Sequence, residues 1–299
     1  MSDIQTLRDV NIVYNQDPNT VNKSIFIPLT VQSLDGDLLR NVGIWNGRYN
    51  FLLQKFDSVT FGKSCNDPEY YKRAYILNPS IWAGSFFHLM TDDMPGLCKY
   101  ADFLKNEDVT ILVRNRNSVI NDCLEAFDIP NKKIVSLKPN TTYRIEELVY
   151  HENPNSQRFC LEAIIPTLTK IRDHFTSKKT KNSKDTKFYL PRWKEESKEF
   201  NNSKASDTRK ILNEDAVITA LSAKNFSSVN LGNKTFDKKS AVLKNAEQIV
   251  CPHSGGVLNC IFAPNIQRVI ILSKTSLSFS DHRIHKILKG VINNLDVQT

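Results

Sequence analysis

The chain has 299 residues, 40% apolar and 24% charged, a balance from which two hydrophobic cores can be built. No run approaches the ~18 consecutive apolar residues of a membrane span, and the six cysteines form neither a CxxC pair nor a small secreted framework. The net charge of +8 and pI near 9.1 favour acidic partners such as nucleotides, anionic lipid headgroups or nucleic acid.

In chain order, the opening MSDIQTLRDVNIVYN lacks the apolar core of a signal peptide, so the expected location is cytoplasmic, with reduced thiols. The basic charge of the whole chain is also compatible with peripheral association with an anionic membrane. Residues 8–62 hold short β-prone runs (NIVYN, SIFIPL, FLLQKF, SVTFG) broken by Asn, Asp and Gly. From Tyr75 the pattern becomes α/β: strand AYIL, a helix around 85–105, strand VTILV, helix SVINDCLEAF and strand KIVSL. CLEAIIPTLTKIRDHF reads as a connecting helix. The polar, basic tract that follows is the expected boundary, giving domains at 1–175 and 187–299 joined by a linker at 176–186.

The stretch GSFFHLMTDDMPGL, 84–97, carries the first candidate chemistry. If Ser85 caps a helix, His88 lies in its first turn and Asp92 one turn further on the same face. A helix N-terminus disfavours protonated histidine, which leaves a neutral ring able to accept a proton. Pro95 must end or kink this helix. Taken alone, the stretch is equally a capped helix with a structural histidine and carboxylates. Asp92-Asp93 is not a DxD motif, and neither His88 with Asp92 nor Cys251 with His253 makes a three-ligand metal set. No metal or other cofactor is therefore expected to be required, although Asp92 and Asp93 sharing a divalent ion with a diphosphate stays open.

The second half alternates regularly. KFYLP is a strand, LNEDAVITALSAKNF a helix, SSVNL a short strand, and FDKKSAVLKNAE a helix with Thr235 as its cap. QIVC is a strand, GGVLNCIFA a short helix, RVIILS a strand, and DHRIHKILKGVINNL a closing amphipathic helix. Strands separated by helices imply a parallel sheet with crossovers, a Rossmann-like domain. Ligands bind beyond the carboxyl ends of such strands. Pro191 with Arg192, Gly232 to Lys234, His253 to Gly256, and Ser273 with Lys274 all fall there. The amides of Ser254, Gly255 and Gly256 at a helix head make an anion site, to which Arg192 adds a bidentate contact and His253 a donor. The spacing is neither GxGxxG nor a Walker loop.

Together these stretches resemble glycosyltransferase family 61. His88, Asp92 and Pro95 hold the family's H-x-x-x-D-x-x-P spacing behind Gly84. YLPR supplies its arginine after a strand, Arg192, and RKILNE its R-x-x-x-N-E as Arg209, Asn213 and Glu214. CPHSGGVLNCIFAP matches G-P-H-G-A-G-x-x-N-x-x-F-x-P through His253, Gly256, Asn259, Phe262 and Pro264. The matches run in order from about residue 84 to 264. Departures are Ser85 for the family's asparagine, Ser254-Gly255-Gly256 for its small-residue loop, and Lys238-Lys239 for its acidic-glutamine pair. The resemblance implies a GT-B-like α/β architecture, two Rossmann-like domains facing across a cleft with the nucleotide on the second. It implies inverting transfer from a nucleotide sugar, a UDP-sugar by preference, to a hydroxyl of a glycan or glycolipid acceptor. On it, Asp92 is the first choice of base, with His88 orienting it or acting itself. Arg192, Arg209, Asn213, Glu214, His253, Ser254, Gly255, Gly256 and Asn259 are the donor side.

Two other readings compete. One is a pyruvyl or phosphosugar transferase of polysaccharide synthesis with a similar anion site. The other is a basic nucleic-acid-binding protein, disfavoured because the lysines near 178–187 lack interleaved aromatics.

Overall fold

The computed structural model describes residues 5–14, 24–27, 29–32, 34–35, 58–61, 67–77, 86–114, 116–150, 160–181, 183–191, 211–232, 234–273 and 279–298. The β-prone run expected at 51–56 lies outside them. Two compact units divide the chain, Met1–Ala163 and Ile164–Thr299. Both are mixed α/β with a sheet dominated by parallel pairing.

The first unit is built on strands β1 (Gln5–Tyr14), β3 (Leu29–Gln32), β5 (Glu69–Leu77), β6 (Thr110–Val113), β7 (Ile134–Ser136) and β8 (Thr141–Tyr150), in the order β3-β1-β8-β5-β6-β7. The four strands β8-β5-β6-β7 are mutually parallel, while β1 runs antiparallel to both β8 and β3. The β-prone start thus extends the α/β sheet at one edge. Strands β2 (Ser24–Ile27) and β4 (Ser58–Phe61) pair separately, in parallel.

Burial explains the sequence of each strand. The run TILV of β6 is almost wholly buried, as a central parallel strand covered on both faces requires. Strand β8, TTYRIEELVY, interleaves buried Tyr143, Ile145 and Leu148 with exposed Arg144 and Glu146. Its charges disguise it, and the sequence reading has no element there. Asn140, at φ 58°, turns the chain into this strand in the left-handed conformation that Asn tolerates better than most residues.

Helices α1 (Phe86–His88), α2 (Met94–Lys99) and α3 (Ala101–Asn106) replace the single helix expected around 85–105, with a π-helical turn at Leu89–Asp93 between the first two. Helix α4 (Ser118–Ala126) is capped by Asn117, whose side chain accepts from the Ile120 amide at 3.0 Å. It ends through Asp128 at φ 59°, a left-handed terminator where glycine is usual.

The second unit holds a five-stranded, all-parallel sheet of β9 (Lys187–Tyr189), β10 (Ser227–Ser228), β11 (Gln248–Pro252), β12 (Arg268–Leu272) and β13 (Asp296–Gln298), ordered β10-β9-β11-β12-β13. In chain order that is 2-1-3-4-5, an order common among doubly wound α/β folds, with its switch point between β9 and β11. Helices α6 (Glu214–Ser222), α7 (Phe236–Leu243) and α8 (Phe279–Val291) and a 3₁₀ helix at Gly255–Phe262 occupy the crossovers. Thr235 holds the N-cap position of α7 as expected, but its side chain makes no capping bond.

Helix α5 (Leu161–Ser177) enters this unit and supplies its aromatic centre. The Phe175 ring meets Phe236 edge-on at 5.4 Å and Phe262 at 6.4 Å, and Phe236 lies 4.9 Å from Phe262. All three are fully buried. The stretch after Ser177 therefore follows a helix already packed within the second unit. Phe175→Ala is expected to cost about 3–5 kcal/mol, the range for deleting a buried phenyl ring. Denaturant unfolding checks it, and a loss below about 1 kcal/mol would mean that α5 is peripheral to the core.

Candidate functional sites

In the first unit, the parallel strands read 3-2-1-4 from β7 to β8, so the order reverses between β5 and β8. The helix carrying His88 comes next in the chain after β5. Burial, and secondarily the charge of Asp93, pushes the Tyr75 phenol of β5 well above its ordinary pKa.

Pro95 explains the π turn. It has no N–H to offer the carbonyl four residues back, and its ring would press on it. The chain answers by widening: the Met94 amide donates to the Leu89 carbonyl, five residues back. The expected kink is thus a π turn placed immediately before the proline. His88 lies one turn before Asp92, and its Nδ1 is 2.9 Å from Asp92 Oδ2. The Thr91 hydroxyl lies 3.1 Å from Asp92 Oδ1 and 2.9 Å from the Phe87 carbonyl. A carboxylate can only accept, so in the neutral ring Nδ1 carries the proton and Nε2 does not. Asp92 has a side chain 4% exposed, against 29% for His88. Adjacent Asp93 is also buried.

In the second unit, Leu190 and Pro191 leave the end of β9 while His253, Ser254, Gly255 and Gly256 leave the end of β11, the two strands flanking the switch point. Ser254 caps the 3₁₀ helix, its Oγ accepting from the Gly256 amide at 3.2 Å and its carbonyl from Val257 at 3.1 Å. A Cβ on Gly256 would stand 3.2 Å from Ser254 Oγ. Glycine is there to leave room for the cap. Because Ser254 already engages two first-turn amides, the turn offers fewer of them to an anion than the sequence suggests. Asn259 is buried and donates Nδ2 to the Gly256 carbonyl at 2.8 Å, bracing the turn. The His253 amide is bonded to the Leu272 carbonyl at 2.9 Å.

Glu214 opens α6 and is buried, its Oε1 receiving the Tyr189 hydroxyl at 2.9 Å. Asn213 stands at the N-cap position of the same helix without a side-chain capping bond. The two lysines at the family's acidic-glutamine position differ: Lys238 is exposed, whereas Lys239 is buried with Nζ 5.2 Å from the Phe236 ring centre. Gly84, Ser85, Arg192, Arg209 and Lys274 lie outside the described residues.

The geometry thus joins His88 to Asp92 in one unit, and groups His253, Ser254, Gly255, Gly256 and Asn259 in the other. Two supporting residues escaped the sequence reading. Thr91 reads as an ordinary helix position, and Tyr189 as one more apolar strand residue; only a bond made over 25 positions distinguishes it. Among the described residues, no three His, Cys, Asp or Glu side chains are grouped as a metal ion would require. No described helix is long and apolar enough to cross a membrane.

Compared with known proteins, residues 86–270 match the family described as Glycosyltransferase 61, a span that runs from the helix of His88 into β12. No individually curated protein matches the chain.

The Tyr189–Glu214 pair has a measurable signature. Burial first, and then the bond to Glu214, raise the Tyr189 pKa above the ordinary value of 10.0. A phenol whose pKa is raised in the folded state holds its proton more tightly there than when unfolded. Its contribution is complete below pH 10 and is lost as the pH climbs toward the folded value. Unfolding free energy is expected to decline from pH 10 upward, and to decline less steeply in Tyr189→Phe. Parallel slopes for parent and variant in alkaline denaturant titrations would contradict this.

Proposed function

The chain belongs to glycosyltransferase family 61 and is a glycosyltransferase, and from that premise we propose an inverting transfer of a sugar from a UDP-sugar to a hydroxyl of a glycan or glycolipid acceptor. A GT-B-like arrangement, with the acceptor on the first unit and the nucleotide on the second, is part of this proposal. The observation that carries the chemistry is the 2.9 Å bond between His88 and the buried Asp92.

His88 is the base in this reading, and Asp92 is its orienting partner. Asp92 Oδ2 is engaged by His88, Oδ1 shares the single Thr91 hydroxyl proton with the nearer Phe87 carbonyl, and the carboxylate is buried. A group so enclosed is poorly placed to take a proton from an incoming hydroxyl. In this reading the partly buried His88 acts through Nε2, while Asp92 fixes its tautomer and stabilises the imidazolium formed, as in other carboxylate–histidine pairs. The acceptor oxygen attacks the anomeric carbon while its proton passes to Nε2. The bond from that carbon to the diphosphate oxygen breaks, and its electron pair leaves with the diphosphate.

The developing charge on the leaving group falls to the second unit: the dipole of the 3₁₀ helix at Gly255, His253, and the cationic Arg192 and Arg209. Cationic side chains and a helix end can do this without a metal ion. Glu214 and Asn213, adjoining in the chain at the head of α6, belong with the nucleoside.

UDP is expected to raise the melting temperature, since a ligand bound only by the folded state stabilises it by about 2.7 kcal/mol at a hundred times its Kd. Arg192→Ala and His253→Ala should each reduce that shift and retain the fold. Undiminished UDP affinity in both variants, by calorimetry, would remove the donor assignment.

His88→Ala and Asp92→Asn are each expected to lower transfer about 10²–10⁴-fold, the range of general acid–base groups, while UDP binding is retained. The parent rate should survive a strong chelator. Near-parent rates in both variants would place the base elsewhere, and turnover lost to the chelator and restored by Mn²⁺ or Mg²⁺ would make the reaction metal-dependent. A panel of nucleotide sugars assayed for slow hydrolysis identifies the donor and separates this activity from pyruvyl or phosphosugar transfer.

A further inference from the structure

We propose that Asn259 reads a hydrogen-bond-donating group of the nucleoside, a ribose hydroxyl or the imide N–H of the base, and not the diphosphate. This rests on the second unit being the nucleotide site. Asn259 is 7% exposed, and its two amide atoms fare differently. Nδ2 donates to the Gly256 carbonyl at 2.8 Å, whereas Oδ1, itself buried, has no hydrogen-bond partner. The orientation of the amide is chemically fixed: a carbonyl oxygen can be met only by the NH₂ end, so the unmatched atom is the acceptor.

A buried acceptor without a donor is costly, and such atoms in folded proteins call for a partner from outside the chain. The chemistry of the atom selects that partner. Diphosphate oxygens are acceptors themselves and would repel Oδ1, so the anion cannot satisfy it. An O–H or N–H can. The position is apt, because the bond to Gly256 holds the amide against the turn at the head of the 3₁₀ helix, beside the switch point of the sheet. Two of the first-turn amides there already serve Ser254, which leaves the turn with less to offer a phosphate and more reason to recognise a neutral group. Asn259 then does two tasks, bracing the turn through Nδ2 and selecting the nucleoside through Oδ1.

The test is calorimetric titration of the parent and Asn259→Ala with UDP, 2′-deoxy-UDP, 3′-deoxy-UDP, N3-methyl-UDP and inorganic pyrophosphate. The parent is expected to bind one of the three altered nucleotides about tenfold more weakly than UDP, the effect of one buried hydrogen bond. Asn259→Ala is expected to bind UDP about tenfold more weakly and to lose that discrimination. Pyrophosphate, held by the turn that Nδ2 braces, is expected to lose clearly less affinity in the variant than UDP does. Which analogue is discriminated identifies the hydroxyl or the imide. Equal weakening of UDP and pyrophosphate in the variant would overturn the proposal, leaving Asn259 a brace for the turn alone. So would a parent that binds UDP and all three analogues alike. A parent that binds neither UDP nor pyrophosphate would overturn the nucleotide site itself. Should Asn259→Ala fail to fold, the analogue series on the parent still decides.

Discussion

A parallel strand cannot be followed by a hairpin; the chain must cross over and begin again at the same end of the sheet. Everything of chemical interest here follows from that constraint. Each crossover leaves from a strand's carboxyl end, and where consecutive crossovers depart in opposite directions a crevice opens between neighbouring strands. The first sheet reverses between β5 and β8, and the second between β9 and β11. The segment following β5 carries His88 and Asp92, and those following β9 and β11 carry Pro191 and the His253–Gly256 turn. Two sheets of different strand order thus arrive at the same solution by the same rule.

Within that frame the candidate groups are held by polar pairing in buried surroundings. Asp92 is buried, so its carboxylate must be matched, and His88 and Thr91 match it. Glu214 is buried and receives Tyr189. Such pairs cost most when half broken, because the remaining partner is left without water or a bond. They also hold orientation, which an in-line displacement needs from its base. The π turn serves the same end: by absorbing the backbone bond that Pro95 cannot make, it keeps the His88-to-Asp92 register while the helix restarts at Met94.

Much of this is legible in the sequence, for identifiable reasons. The strand–helix rhythm of the second half is plain because buried parallel strands must be apolar runs, as QIVC and RVIIL are. The pairing of His88 with Asp92 follows from helical periodicity alone. What stays hidden depends on partners distant in the chain. Strand β8 looks polar because Arg144 and Glu146 interrupt it, and it is a strand because β1 and β5 lie on either side. The two glycines suggest a phosphate cradle, yet Gly256 makes room for the Ser254 cap. Asp128 and Asn225 end helices in the left-handed conformation, so helix ends expected at glycine are marked by other residues. That Asp92 is the more buried of the two is set by tertiary packing, to which spacing is blind.

The most direct measurement is the anomeric configuration of the first transfer product, followed by ¹H NMR against the configuration of the donor. A single displacement with His88 taking the acceptor proton inverts the anomeric centre at every turnover. The predicted result is a first-formed product of opposite configuration, its rate falling in His88→Ala with the stereochemistry unchanged. A product that retains the donor's configuration would contradict a single base-assisted displacement and would require a different role for the His88–Asp92 pair.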